Sequence, residues 1–133
     1  MSRIDILLAT YNGARFLPEQ LASLAAQTHE DWRLLVRDDG SSDGSLEVVR
    51  EWASGVPQPV EIIEDGRTGL GASLNFATIL ERSDAPYFAC CDQDDVWLPE
   101  KLEVMLAALQ AAEARSGTDT PMMAYSDLRV VDG

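Results

Sequence analysis

Short apolar runs alternate four times along the chain with stretches whose apolar residues recur at helical spacing. The first run, Ile4-Asp5-Ile6-Leu7-Leu8-Ala9, is mostly apolar, as suits a strand buried on both faces. It stops at the turn signal Thr10-Tyr11-Asn12-Gly13. Phe16, Leu17, Leu21, Leu24 and Ala25 then predict a helix through about Gln27, with Pro18 tolerated near its start. Trp32-Arg33-Leu34-Leu35-Val36-Arg37 reads as a second strand. It runs into Asp38-Asp39-Gly40-Ser41-Ser42-Asp43-Gly44-Ser45. Ser42 or Asp43 is the expected cap of a helix from Leu46 to about Ala53.

After the connection Gly55-Val56-Pro57-Gln58-Pro59, Val60-Glu61-Ile62-Ile63 is a third, alternating strand, and Asp65 to Gly71 forms a long loop. A helix is predicted from about Ala72 to Arg82, carrying Leu74, Phe76, Ala77, Ile79 and Leu80. Pro86-Tyr87-Phe88-Ala89-Cys90-Cys91 is the fourth strand and ends at Asp92-Gln93-Asp94-Asp95. Pro99 opens an amphipathic helix with Leu102, Met105, Leu106 and Leu109 on one stripe, closed by Ser116 to Pro121. Met122 to Asp127 is expected to be a fifth strand, continued by extended Leu128 to Val131.

This alternation implies an α/β fold of three layers, α/β/α, with a mainly parallel sheet. There is no internal repeat and no low-complexity segment. The chain stops at Val131-Asp132-Gly133, directly after strand-like residues, so the expectation is the front portion of a longer domain, truncated on its C-terminal side. An uncovered edge strand there would favour a homodimer through that edge.

Composition narrows the function classes. At 133 residues the chain is one domain's worth, and 46% hydrophobic with 25% charged residues is globular rather than disordered. A net charge of -13 argues against nucleic acid or an anionic membrane surface as partner. Cys90 and Cys91 are adjacent in an apolar run, so they are expected to be packing residues of a protein in a reducing compartment. Neither a signal peptide nor an apolar run of membrane-spanning length is visible, and the expected location is cytoplasmic, peripheral at a membrane in the full-length protein.

Three strands end in polar loops that would share one rim of the sheet: Thr10 to Gly13, Asp38 to Ser45, and Asp92 to Asp95. Open α/β sheets bind ligands at that rim. Three carboxylates within four positions repel one another, and a hard divalent cation would make them favourable. The bland reading is a solvated acidic turn before a helix. In the second loop a carboxylate can accept a hydrogen bond from a neutral ring N–H, such as the imide of uracil or thymine. The bland reading there is helix capping, worth about 0.3–1 kcal/mol per acid.

Leu8-Ala9-Thr10-Tyr11-Asn12-Gly13, Arg37-Asp38-Asp39-Gly40-Ser41-Ser42-Asp43 and Cys91-Asp92-Gln93-Asp94-Asp95-Val96-Trp97 together resemble family 2 glycosyltransferases, closest to a rhamnosyltransferase-like branch. The resemblance implies the glycosyltransferase-A fold. It also implies inverting transfer of a sugar, rhamnose being one candidate, from a UDP- or dTDP-linked donor to a saccharide or lipid-linked acceptor in cell-surface polysaccharide synthesis. Residues 1–133 would then be the donor-binding portion. By the same resemblance Thr10, Tyr11 and Asn12 lie along the base and ribose, and Asp39 contacts the base with Asp38 beside it. Asp92 meets the ribose, and Asp92, Asp94 and Asp95 hold a Mg²⁺ or Mn²⁺ ion that grips the diphosphate. The catalytic base is expected beyond Gly133, in an acceptor half that is absent.

The sequence departs from the family where relatives carry Asn-Leu-Gly before the third helix and this chain has Gly69-Leu70-Gly71, although Asn75 and Phe76 keep the later pattern. Arg67 could reach a phosphate or be a surface arginine, and His29 reads as an exposed turn residue on the opposite edge. Three other readings compete with this one. A haloacid-dehalogenase-like phosphatase would carry its aspartate loop after the first strand, and a dinucleotide-binding oxidoreductase would carry Gly-x-Gly-x-x-Gly there. A non-catalytic nucleotide-sugar-binding module shares every donor-side feature.

Overall fold

The computed structural model describes residues 3–91 and 96–116, in which strand and helix alternate as predicted. The elements are β1 (Ile4–Thr10), α1 (Leu17–Ala25), β2 (Trp32–Asp38), α2 (Ser45–Ala53), β3 (Val60–Ile62), α3 (Ala72–Arg82), β4 (Tyr87–Cys91) and α4 (Lys101–Ser116). The acidic run Asp92, Gln93, Asp94 and Asp95, and the predicted strand Met122 to Asp127 with its extension, lie outside the described residues.

The strands run in the order β3-β2-β1-β4 and every pair is parallel. All of β1 is buried, as its unbroken apolar run requires of a central strand. Right-handed crossovers explain the layers. The steps from β1 to β2 and from β2 to β3 proceed in one direction, so α1 and α2 share a face. The chain then returns past β2 and β1 to reach β4, which puts α3 on the other face.

The first face buries Ile4, Ile6, Leu8, Leu34, Val36, Ala89 and Cys91 against Leu17, Leu21 and Leu24 of α1, Val49 of α2, and Leu102 and Leu106 of α4. Each fully buried aliphatic side chain there contributes about 1.5–3 kcal/mol relative to exposure. The second face is smaller: Leu7, Ala9, Leu35 and Ile63 meet Ile79 and Phe76 of α3.

This α3 face also carries buried charge at both ends. At the N-terminal ends of the strands, Asp5 sits opposite Arg33 in register and accepts two hydrogen bonds from its guanidinium, at 3.2 and 2.8 Å. Ser83, just past the end of α3, donates its hydroxyl to the same carboxylate at 2.7 Å. Arg3 and Arg33 both reach Asp84. At the opposite ends of the strands, Arg37 bonds Asn75 in the first turns of α3. The helix is therefore fastened at each end by a polar group, with an apolar strip between.

Four expectations need correction. The first helix ends at Ala25 rather than Gln27, because Gln27 turns to serve another element. Its side chain donates to the Leu98 carbonyl at 2.8 Å and accepts from the Leu102 amide at 3.0 Å, capping α4 from outside. The N-cap of α2 is Gly44, at φ 86°, rather than Ser42 or Asp43. Cys90 is exposed while Cys91 is buried, because alternation turns Cys90 to the α3 face and α3 packs over β1 and β2. His29 is half-buried, with its ring Nε2 3.1 Å from the Asp31 carbonyl.

Among the described residues no helix is long and apolar enough to cross a membrane.

Candidate functional site

The rim at the C-terminal ends of β1 and β2 is built by one register pair, Thr10 opposite Asp38. The Thr10 hydroxyl donates to Asp38 Oδ1 at 2.7 Å. The Ser41 hydroxyl donates to the same oxygen at 2.5 Å, and the Gly40 and Ser41 amides donate to Oδ2 at 3.2 and 2.8 Å. With four donors converging on it, Asp38 folds its own loop back onto β1.

Asn12 continues the stapling. Its backbone is left-handed (φ 50°), a conformation that asparagine tolerates better than most residues. Its amide donates to the Ser41 hydroxyl at 2.7 Å, and its side-chain oxygen accepts from the Ser42 amide at 2.9 Å. Nearby, Asp43 accepts from the Ala14 amide and from the hydroxyl and amide of Ser45. The Ser45 hydroxyl, with these amides, holds the Asp43 carboxyl below the usual range.

Asp39 is placed differently. Only 5% exposed, it donates its amide to the Thr10 carbonyl at 2.9 Å. Oδ1 accepts from Arg37 Nη1 at 3.1 Å and the Leu70 amide at 3.0 Å, while Oδ2 accepts from the Gly71 amide at 3.0 Å. Burial works against the charged form. The Leu70 and Gly71 amides and the Arg37 guanidinium outweigh it, so the carboxyl stays below its ordinary pKa. Asp39 is thus an ionised, buried acceptor, and Oδ2 holds one hydrogen bond among the described residues.

That carboxylate lines a cleft of about 560 Å³ between the end of β1 and the start of α3. Thr10 and the half-exposed ring of Tyr11 form one wall, Gly71, Ala72 and Asn75 the other, and Phe76 lies alongside. A flat heteroaromatic group with a ring N–H suits such a cleft: apolar surface for its faces and one ionised acceptor for its edge.

The loop from Asp65 to Gly71 closes the site. Gly69 donates its amide to the Asp39 carbonyl at 3.3 Å. The loop thus ties to Asp39 through its own backbone amides, one on the Asp39 carbonyl and two on the carboxylate. Arg67 lies against Asp65 at 2.7 Å, with its side chain 56% exposed. Gly40 packs under the loop: its φ is +95°, and a Cβ there would stand 2.9 Å from the Thr68 Cβ. Gly40→Ala is therefore expected to lose about 1–2 kcal/mol of stability, read from denaturant unfolding midpoints, because strain and overlap act together.

On the other side of β1, β4 ends at Cys91, in register with Leu8. The described chain resumes at Val96, and Trp97 is buried with its amide donating to the Ser23 hydroxyl of α1 at 3.1 Å. Asp92, Asp94 and Asp95 lie outside the described residues, among which no group of three potential metal ligands comes together.

Thr10, Asn12, Asp38 and Asp39 are therefore joined by hydrogen bonds, and Tyr11 stands beside Asp39 in the cleft. Two participants are not legible as site residues in the sequence, Arg37 and Asp65, and Asn75 enters there only as part of the resembled pattern. The signal for Arg37 was its charge at the end of a strand that otherwise reads as buried, beside an Asp-Asp pair.

A family model described as glycosyl transferase family 2 matches residues 5–126. The dTDP-rhamnosyl transferase RfbG of Shigella flexneri is 31% identical over 99 residues, covering 72% of this chain and 34% of that protein. Among solved structures, TarS 1-349 of S. aureus in complex with UDP aligns with a TM-score of 0.70 at 24% identity, covering 84% of this chain and 32% of that one. The mannosyltransferase PcManGT from Pyrobaculum calidifontis, in complex with GDP-Man and Mn²⁺, aligns at 0.65 with 25% identity, covering 71% and 28%. These alignments and the parallel sheet give the glycosyltransferase-A fold. The chain spans between 34% and 46% of the length of the first curated relatives it matches.

Proposed function

Because the chain belongs to glycosyl transferase family 2, we propose that it is the donor-binding portion of an inverting glycosyltransferase that uses a nucleotide-diphosphate sugar. The observation that carries this reading is the buried, ionised Asp39 carboxylate at the edge of an apolar-walled cleft beside Tyr11. In this role Asp39 accepts the ring N–H of a uridine or thymidine base, and Tyr11 covers the base or ribose. Thr10, Asn12 and Asp38 hold the two rim loops in register. The likeness to a dTDP-rhamnosyl transferase supports a deoxysugar donor such as rhamnose, and the UDP complex of TarS supports a pyrimidine nucleotide.

Three carboxylates within four positions fit a hard divalent cation by their chemistry, and PcManGT was solved with Mn²⁺. Asp94 and Asp95, with Asp92, would hold Mg²⁺ or Mn²⁺. Bound there, the ion would offset negative charge on the leaving diphosphate. The acceptor, a saccharide or lipid-linked sugar in cell-surface polysaccharide synthesis, would approach from the side of the sugar.

Calorimetry with UDP and dTDP, with and without Mn²⁺, tests the reading. Both the affinity and its enhancement by metal are expected in the native protein, and Asp94→Ala should lose the enhancement while keeping the fold. Full metal response in that variant would refute the ligand assignment. Hydrolysis of a generic phosphomonoester, lost in Asp92→Asn, would replace transferase with phosphatase.

A further inference from the structure

Arg37 is fully buried, yet it carries a charge. A guanidinium has five N–H donors, and each finds an acceptor here. Nε and Nη2 reach the two oxygens of Asp65 at 3.2 and 2.9 Å, and Nη2 also donates to the Arg67 carbonyl at 2.7 Å. Nη1 donates to Asp39 Oδ1 at 3.1 Å and Asn75 Oδ1 at 2.9 Å. Asn75 in turn donates to the Arg37 carbonyl at 3.1 Å. Its register partner on β1 is Ala9, whose small side chain leaves room for the arginine on the α3 face.

From this geometry we infer that Arg37 is a positioning residue for the donor base: it fixes the Asp39 carboxylate from behind and holds the loop and helix that form the far wall of the cleft. The inference rests on the donor-site reading above. The carboxylate and the far wall of the cleft are tied through one cation, since Asp65 and Arg67 belong to the loop, Asn75 to α3, and Asp39 follows β2. Lysine cannot reproduce this, having three donors on a flexible stem rather than a planar fork.

Removing the cation leaves burial acting on Asp39 with only the amides opposing it, and the carboxyl would protonate at higher pH. Few other charges bear on it. Asp38 precedes it at the end of β2, Asp65 and Arg67 stand behind Arg37, Tyr11 lines the same cleft, and α3 presents the neutral Asn75. A protonated Asp39 donates where an imide N–H needs an acceptor. Base affinity in an Arg37 variant should therefore fall more steeply than that of the native protein as pH falls, the ionisation of the diphosphate itself being common to both.

The experiment is calorimetry of UDP and, as a probe without a base, inorganic pyrophosphate, each with Mn²⁺ between about pH 5 and 8. Arg37→Met is expected to lose about tenfold or more in UDP affinity, more at the acid end, with pyrophosphate affinity kept. Arg37→Lys should restore the native pH profile but only part of the affinity. A folded Arg37→Met variant that binds UDP as the native protein does would overturn the inference. So would equal, pH-independent loss of UDP and pyrophosphate, which marks a merely structural role. Should Arg37→Met fail to fold, Arg37→Lys decides: weakened UDP with unchanged pyrophosphate supports the inference, and native UDP affinity overturns it. A native protein that binds pyrophosphate but neither UDP nor dTDP would instead overturn the donor-base reading itself.

Discussion

Asp39→Ala is expected to lower UDP or dTDP affinity by about 10- to 100-fold, the range for a lost hydrogen bond to a charged acceptor. The loss has two physical parts. One is the acceptor for the ring N–H. The other is the anchor of the closing loop, since the amides of Leu70 and Gly71 both end on this carboxylate. Asp39→Asn separates them: it keeps the shape and one acceptor oxygen but turns an NH₂ toward one of those amides. It should therefore fall between alanine and the native residue. Metal enhancement of diphosphate binding should survive both changes, because Asp39 is not among the proposed metal ligands. Calorimetry with Mn²⁺ measures all of this, and native affinity in Asp39→Ala would remove Asp39 from the site.

The largest loss of stability is expected at the other end of the same face. Asp5 is 0% exposed and joins Arg33, Arg3 and Ser83. Breaking a buried pair by removing one partner costs about 3–5 kcal/mol. Arg33 and Arg3 keep 20% and 40% of their side chains exposed and can recover some hydration, so about 2–4 kcal/mol is expected for Asp5→Ala. Urea unfolding at neutral pH gives the value, and a change below about 0.5 kcal/mol would show that the cluster is not holding α3.

The pH dependence follows with its sign. Burial raises the Asp5 pKa, but the bonds from Arg33 and Ser83 and the charges of Arg33 and Arg3 bring it below the ordinary 3.8. A depressed carboxyl stabilises fully above its unfolded pKa, and that stability is lost as pH falls through the folded one. The native protein should thus lose stability as the pH drops below about 3.8, and Asp5→Ala should lose less over that window.

Both residues show what periodicity can and cannot reveal. The helix predicted from Ala72 to Arg82 has those limits, since its apolar residues, the glycine before it and Ser83 to Pro86 after it leave little choice. The rim was legible because each of the first two strands runs straight into a polar loop. The buried charges were not. Asp5, Arg33 and Arg37 all point to the α3 face, and in a one-dimensional pattern each looks like a tolerated interruption of an apolar run. Only pairing shows that Asp5 meets Arg33 across the strands, and that the span of α3 brings Asn75 to Arg37 and Ser83 to Asp5. The Gly69 departure was hard to judge for a related reason: the ties to Asp39 run through backbone amides, which every non-proline residue owns.

The strand order has a kinetic consequence. β2 lies a single helix away from β1, whereas β4 must find the other edge of β1 after three helices and two strands have intervened, pairing Tyr87 with Ile4. Contacts between such distant segments close large loops before they are rewarded, which slows their formation. The half of the rim that carries Thr10, Asp38 and Asp39 should therefore assemble early, even while the chain is still being synthesised. Among the described strands, the fourth docks after the other three. Deletions that shorten the connection between β3 and β4 would be expected to speed folding, so long as α3 keeps both of its fastenings.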